Sequence, residues 1–571
     1  MHYKLFFSLL IVLNTVNGQR VLNNLPKTLF SYQLGEEVFT SSLSSGKVKT
    51  SVSSFDTVQS DVHARISFKN ISTDTVVLHN VVPFARTNSE VYITGIGNHE
   101  LSRTHLIFPS RSPVNVIVPD NAWDLGYNTH MISEDRKLAG LTRRIKNSVE
   151  NGRRKRFETI LYPGGSVQYD LYISEYSGQW QNGLTRIFQE RKLYDTVGFN
   201  DSLFKRKDLQ WIRHSYVLHL MDAWDKYYYD YTKKKYTLEN FLKRGQRLYG
   251  GDDVVAVWPT WPTLGLDQRN QFDLFHDLPG GTAAMKRMAE MSRSNNTKFF
   301  ICYNPWDEST RSQNHFDGLS DLIKETSADG VILDTKGESS SELQDAADKV
   351  RPGVVMYSEG MAVPKDMQGI VSGRVHNALT HPPMLNLNKL IKPEFAIFRV
   401  TEINKGKITR DLATSFFNGY GTEINIMPAG EPHDIDEQYK YLGRTSRILR
   451  ENTYNFTSGV YTPLIESSAD SIWVNEWRLP EKTIYTVFNM RPQGFSAPLF
   501  KVKKDTGFHY VDLWSHKLLS PVQKDNQYWI PVEADAFNVS FLGTENEGSN
   551  SCIAKLPVLI SASLYGDQLN V

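Results

Sequence analysis

Two stretches, Gly330-Val-Ile-Leu-Asp334 and Gly353-Val-Val-Met-Tyr-Ser-Glu359, determine the fold of the central part of the chain. Each is an apolar run of strand length that ends in a carboxylate, and a helical pattern at Glu342–Val350 lies between them. A strand buried on both faces has a continuous apolar run, and two such strands joined by a helix form a βαβ unit. The stretches therefore predict parallel strands whose carboxyl ends both carry an acid.

The same alternation of strand and helix extends in both directions from these stretches. Helical spacing of apolar residues predicts helices at Leu238–Tyr249, Ala283–Ser292, Leu319–Thr326, Glu342–Val350, Thr409–Phe417 and Asp436–Asn452. Strands are predicted at Tyr216–Asp222, Val254–Trp258, Lys298–Asn304, Gly330–Asp334, Gly353–Glu359, Gly369–His376, Phe395–Thr401 and Glu423–Met427. Eight repeats over about 240 residues are typical of a (β/α)8 TIM barrel. Without the sixth strand, a doubly wound sheet would also fit.

The regions on either side of the predicted barrel have the sequence pattern of β-strands. Short alternating runs predict an N-terminal β-sandwich over residues 19–200, which ends in a linking helix near Gly183–Tyr194. Similar runs predict a C-terminal β-sandwich over residues 460–571, after a catalytic barrel at 201–459. The expected fold is a multidomain α/β plus all-β chain.

The first 18 residues have the pattern of a cleavable signal peptide. Lys4 precedes the apolar run Leu5–Leu13, and small residues up to Gly18 offer a cleavage point. That run is too short to span a bilayer. We therefore expect a secreted or periplasmic protein without a membrane span.

Composition and charge narrow the function classes. The 571 residues include 64 basic and 63 acidic side chains, so the net charge is +1 and does not favour nucleic acid as a partner. Cysteines occur only at Cys302 and Cys552, and no His/Cys cluster has zinc spacing. No phosphate-binding glycine loop and no Gly-x-Ser-x-Gly nucleophile motif is present. We expect neither a metal nor another cofactor.

The two carboxylates at the strand ends suggest catalysis. Barrel enzymes place their chemistry at the carboxyl ends of the strands. Cleavage of a glycosidic bond needs two carboxyl groups, one that protonates the leaving oxygen and one that attacks or stabilises the developing cation. Asp334 and Glu359 fit this requirement. The alternative is that each carboxylate caps a loop or pairs with a neighbour such as Lys336.

A β-sandwich, a barrel whose fourth and fifth strands end in acids, and a C-terminal β domain resemble the α-amylase clan and the endo-α-N-acetylgalactosaminidases. This resemblance implies a retaining mechanism on α-linked sugars, with Asp334 as the nucleophile and Glu359 as the acid/base. With that role, we expect a raised pKa for Glu359. Ile332 stands where the amylase pattern has an arginine two positions before the nucleophile, and no clear His-Asp motif follows.

Other residues at the strand ends are candidates for sugar contacts. Carboxylates and amides bind hydroxyl groups, arginine bridges hydroxyl or acidic groups, and aromatic rings stack on sugar rings. The candidates are Asp222, Trp258, Trp261, Tyr303, Asn304, Trp306, Lys336, His376, Arg399 and Glu402. For each of them, packing or an ion pair is an equally good explanation.

The leading hypothesis is a secreted, retaining, exo-acting α-glycosidase whose substrate is an oligosaccharide or polysaccharide. One alternative is a non-catalytic carbohydrate-binding protein on a degenerate barrel. Another is an inverting glycosidase that uses a different acid, such as Asp222 or Glu402.

Overall fold

The computed structural model describes residues 21, 23–43, 45–58, 61–85, 92–95, 104–108, 111–117, 125–155, 158–189, 200–259, 269–307, 313–336, 341–359, 366–375, 385–403, 406–426, 431–538, 548–559 and 563–570. The chain forms two compact units, one of Met1–Val197 with Met384–Ile391 and one of Gly198–Pro383 with Lys392–Val571. The proposed signal peptide, Trp261 and His376 lie outside the described residues. No helix in the described part is long and apolar enough to cross a bilayer.

The first unit is mainly β-structure, as predicted. A mostly antiparallel 13-stranded sheet packs around an apolar core that includes Phe30 and Phe68, whose ring centroids are 5.6 Å apart. The helices Trp180–Gln189 and Asn388–Ile391 belong to this unit. Its strands are Phe30–Leu34, Glu37–Thr40, Val48–Val58, Asp61–Asn70, Val76–Pro83, Tyr92–Gly95, Thr104–Phe108, Arg111–Ile117, Leu125–Ser133, Arg136–Arg144, Glu150–Arg154, Glu158–Tyr176 and Leu385–Asn386.

The second unit contains the predicted TIM barrel. Eight parallel strands close on one another in chain order. They are Val217–Asp222, Val254–Trp258, Lys298–Tyr303, Gly330–Leu333, Val355–Ser358, Ser372–Val375, Ala396–Glu402 and Gly421–Asn425, named below the first to the eighth barrel strand. The eighth begins two residues earlier than predicted, because Gly421 pairs with Phe398 where a Cβ would lie only 2.7 Å from the Phe398 ring.

Helices surround these strands. They span Ser202–Lys205, Leu238–Tyr249, Gln271–Asp277, Gly281–Ser294, His315–Thr326, Ser341–Asp348, Thr409–Phe417, Ile435–Glu451 and Thr453–Phe456, with 3-10 turns at Lys207–His214 and Asp366–Gly369. Leu238–Tyr249 and Thr409–Phe417 have the predicted bounds. The short helix Gln271–Asp277 was not predicted, and a hairpin of Tyr229–Asp230 and Lys235–Tyr236 follows the first strand.

The C-terminal part is a β-sandwich. Its core residues, which include Val487 and Ile530, come from a six-stranded and a three-stranded sheet. The first sheet contains Tyr461–Thr462, Ile472–Arg478, Thr483–Asn489, Phe508–Asp512, Lys517–Leu519 and Ser549–Pro557, and the second contains Phe495–Val502, Val522–Lys524 and Gln527–Ala534. Ser563–Tyr565 and Gln568–Asn570 form a final hairpin.

Candidate active site

Side chains from the carboxyl ends of the barrel strands converge on the barrel interior. Tyr357, Arg374 and Glu423 mark the inward face, because they contact one another from three different strands. Residues that are paired between parallel strands share a face, and successive residues alternate. The last inward positions are therefore Asp222, Trp258, Asn304, Asp334, Glu359, Glu402 and Asn425. The first six are sequence candidates that the fold brings together, and Asn425 is an addition.

Asp334 and Glu359 lie side by side after the fourth and fifth strands, and their carboxyl groups share a hydrogen bond. The indole N–H of Trp306 donates to Asp334 Oδ2 at 3.2 Å. Glu359 accepts the backbone N–H of Thr335 and pairs with the guanidinium of Arg374, which also donates to the Glu359 backbone carbonyl at 3.1 Å. Glu359 thus receives more donors than Asp334 does.

Thr335 holds an unusual backbone conformation between the two carboxyls. Its φ of 55° lies in the left-handed region, which β-branched residues rarely adopt. The next residue secures the turn, since the carbonyl of Lys336 accepts the Glu359 N–H at 3.1 Å and the Ser358 hydroxyl at 3.0 Å. Such strain persists where the surroundings enforce it, and it concentrates at functional sites.

Lys336 therefore contributes through its backbone. No described contact joins its ammonium group to Asp334, so the alternative that Asp334 pairs with Lys336 has no support in the geometry.

The two carboxyls differ in proton affinity. Burial raises the pKa of Asp334 to about 7, and the hydrogen bond to Glu359 and its negative charge add to the rise. Burial also opposes ionisation of Glu359, but the hydrogen bond from Asp334 and the charge of Arg374 outweigh it and lower the pKa of Glu359. The expectation of a raised pKa for Glu359 is wrong, because it did not include Arg374.

A buried ionic network supports Glu359 from below. Arg374 is 2% exposed and donates to Glu423 at 2.6 Å, and the Tyr357 hydroxyl donates to the other oxygen of Glu423 at 2.6 Å. A buried charge is costly unless it is paired. The sequence did contain a signal for these residues, since Arg374 and Glu423 are charged residues that lie within predicted barrel strands.

Asp222 and Asn425 face the interior from the first and eighth strands. Burial, followed by the negative charge of Asp225, raises the pKa of Asp222 to about 7. The Asp222 backbone N–H donates to Asp225 Oδ2 at 2.9 Å, which fixes the start of the following loop. This wall of the interior thus carries a carboxyl group with a strong affinity for a proton.

Two sequence candidates point away from the interior. The Tyr303 hydroxyl contacts the His315 ring at 2.8 Å, and Arg399 donates to Asp411 at 2.7 Å. Both partners lie on helices outside the barrel, because Tyr303 and Arg399 occupy the outward positions of their strands. The expectation that these two residues contact a sugar is corrected accordingly.

The remaining candidates differ in exposure. Trp306 is 49% exposed, and its indole reaches Asp334, whereas Trp258 is 8% exposed and is paired with Asp222. Glu402 is half-buried and is paired with Asn425. Within the described ranges, no three His, Cys, Asp or Glu side chains are grouped to hold a metal ion.

Comparison with known proteins gives structural similarity only. No family model matches the chain, and no curated sequence is significantly similar to it. A GH36 α-galactosidase from Geobacillus stearothermophilus is similar with a TM-score of 0.46 and 10% identity, over 94% of this chain and 85% of that one. An α-amylase from Geobacillus thermoleovorans is similar with a TM-score of 0.41 and 11% identity, over 60% of this chain and 98% of that one. With both TM-scores below 0.5, the fold assignment rests on this chain's own strand order.

Proposed function

We propose that the chain is a glycoside hydrolase that cleaves α-linked sugars with Asp334 and Glu359. The observation that carries the proposal is the hydrogen bond between two carboxyls of opposite pKa shift at the ends of adjacent barrel strands. Such a pair supplies an acid and a carboxylate at the same pH, as glycosidic cleavage requires. The exo mode of action and export remain predictions from the sequence.

The closeness of the carboxyls favours retention over inversion. An inverting enzyme keeps its two carboxyl groups about 6.5–9.5 Å apart to admit a water molecule, whereas a retaining enzyme keeps them about 5–5.5 Å apart. Carboxyl groups that are close enough to share a hydrogen bond need to move apart only slightly to receive an anomeric carbon between them. This geometry is the reason to prefer the retaining reading.

The pKa directions support one order of events. Asp334 gives its proton to the glycosidic oxygen as the bond from that oxygen to the anomeric carbon breaks, and a Glu359 oxygen bonds to the carbon. Ionised Asp334 then takes a proton from water, whose oxygen attacks the carbon and releases Glu359. These roles are the reverse of those implied by the resemblance to the α-amylase clan.

The proposal is tested by measuring the hydrolysis of aryl α- and β-glycosides by the wild type and by the variants Asp334→Ala and Glu359→Ala. We expect turnover of an α-glycoside and a loss of at least about 10³-fold on unactivated substrates in both variants. With added azide, Asp334→Ala should form the α-glycosyl azide and Glu359→Ala the β-glycosyl azide. The opposite azide pattern would restore the implied roles, and full activity in either variant would remove that residue from the mechanism.

A matched control lies immediately before the same strand. Asp329 is buried at the opposite end of the fourth strand, where it pairs with Arg293 and Arg351. Asp329→Asn should lower the melting temperature and leave the turnover of the folded fraction near that of the wild type. If sugars bind but no glycoside is cleaved, the chain is a carbohydrate-binding protein instead.

A further inference from the structure

Two buried oxygen atoms on one wall of the barrel interior lack hydrogen-bond partners in the described structure. They are Asp222 Oδ2 and Asn425 Oδ1. The two residues are 3% and 4% exposed, so solvent contact does not compensate these atoms. Buried polar atoms are nearly always hydrogen-bonded, and an exception calls for an explanation.

The two atoms belong to one surface. Leu220 is paired with Asn425, so the first and eighth strands are neighbours, and Asp222 follows on the same face two residues beyond Leu220. In the closed strand order, these strands lie across the barrel from the fourth and fifth strands, which carry Asp334 and Glu359.

The chemistry of the two atoms defines the missing partner. The amide oxygen of Asn425 only accepts hydrogen bonds, whereas Asp222 Oδ2 accepts when the carboxyl group is ionised and can donate when it is protonated, so the partner must offer groups that both donate and accept. Asp225 places further negative charge beside Asp222, and this charge disfavours a phosphate or carboxylate ligand. A divalent cation such as calcium would need about six to eight oxygen ligands. Hydroxyl groups on a neutral molecule fit best.

We propose that Asp222 and Asn425 form a subsite that binds hydroxyl groups of the glycosyl unit on the side away from the cleaved bond. This inference rests on the proposed function, because the carboxyl pair fixes where the anomeric carbon lies. A sugar ring held at that carbon extends towards the opposite wall, where Asp222 and Asn425 lie. The subsite thereby selects the substrate by the positions of its hydroxyl groups.

The test uses the aryl α-glycoside that the wild type hydrolyses fastest and its monodeoxy analogues. Asn425→Leu should lower kcat/KM on the parent by roughly tenfold to a hundredfold, the range for a lost hydrogen bond. It should cause no further loss on the one analogue that lacks the bound hydroxyl group. Asp222→Asn should behave in the same way towards a hydroxyl group of its own. Equal losses on every analogue would overturn the proposal.

Stability and binding measurements separate the possible failures. Thr422→Val changes an outward residue of the eighth strand and should alter no substrate preference. If Asn425→Leu does not fold, Asn425→Ala and Asp222→Asn carry the same test. Calorimetry of methyl α-glycoside binding tests the subsite even if no turnover is found. If the wild type binds a methyl α-glycoside and Asp222→Asn does not, the subsite is supported although the hydrolase proposal fails. Turnover with unchanged preferences, or no methyl glycoside binding, overturns the subsite.

Discussion

At the scale of single residues, the candidate site depends on how one proton is distributed. Asp334 has a pKa of about 7 because it is buried beside another carboxyl, and Glu359 has a lowered pKa because Arg374 and the Thr335 N–H stabilise its charge. The two groups titrate as a coupled pair, so activity reports on the pair.

We predict a pH profile that follows from these directions. Activity needs Asp334 protonated, so kcat/KM should fall as the pH rises through about 7. Arg374→Met removes the charge that lowers the pKa of Glu359, so this pKa should rise and the acidic limb should move to higher pH. The profile of initial rates with an aryl glycoside measures both limbs. If Asp222→Asn shifts the alkaline limb, that limb reports the titration of Asp222 and not that of Asp334.

Asp222 should also lower stability at neutral pH. Its folded-state pKa of about 7 lies above the ordinary value of 3.8, so its ionisation opposes folding as the pH rises between about 4 and 7. Asp222→Asn should therefore raise the free energy of unfolding at pH 8 by up to about 4 kcal/mol, and the gain should vanish below about pH 4. Urea denaturation at several pH values measures this. Asp208, whose pKa Arg206 lowers, provides a control of opposite sign.

At the scale of elements, the sequence predicted the strands better than the directions of their side chains. Apolar runs located all eight barrel strands, since burial on both faces leaves a clear pattern. Tyr303 and Arg399 were misassigned, because the inward face follows from strand register rather than from nearness to a strand end. Asn425 was missed because the eighth strand begins earlier than its apolar residues indicate.

The ionic network across three strands leads to a prediction at this scale. Glu423 accepts from both Arg374 and Tyr357 in the buried interior, so its removal takes the acceptor from the Tyr357 hydroxyl and from one Arg374 N–H group, while Arg374 keeps its pairing with Glu359. Glu423→Ala should lower the free energy of unfolding by about 3–5 kcal/mol, the cost of breaking a buried ion pair. Glu423→Gln should lower the free energy of unfolding by a smaller amount, and urea titrations of the two variants measure the difference. Equal stability in all three proteins would show that the network contributes nothing.

At the scale of the whole molecule, the C-terminal sandwich forms one compact unit with the barrel, although the sequence suggested a separate domain. The helix Thr409–Phe417 links the two, since the carbonyl of Phe417 accepts from Asn475 at 3.0 Å and from Thr486 at 2.9 Å. The Phe417 ring also packs against Phe488, with centroids 5.7 Å apart. Sequence periodicity shows that a helix is amphipathic, but it does not show which later strands cover it.

We therefore predict that the barrel and the C-terminal sandwich unfold together. Asn475 also accepts the Leu464 N–H at 3.0 Å, so Asn475→Ala leaves buried groups of both parts unpaired and should cost about 2–4 kcal/mol. Heating this variant should lower the midpoint for loss of barrel activity and the midpoint for loss of β-sheet circular dichroism equally. Gln523→Ala, on an exposed strand of the sandwich, should change neither midpoint.

Activity that survives the melting of the sandwich would show two independent domains, and residues 200–459 should then fold alone. If the prediction holds, that fragment should be insoluble, because Phe416 and Phe417 lose their cover.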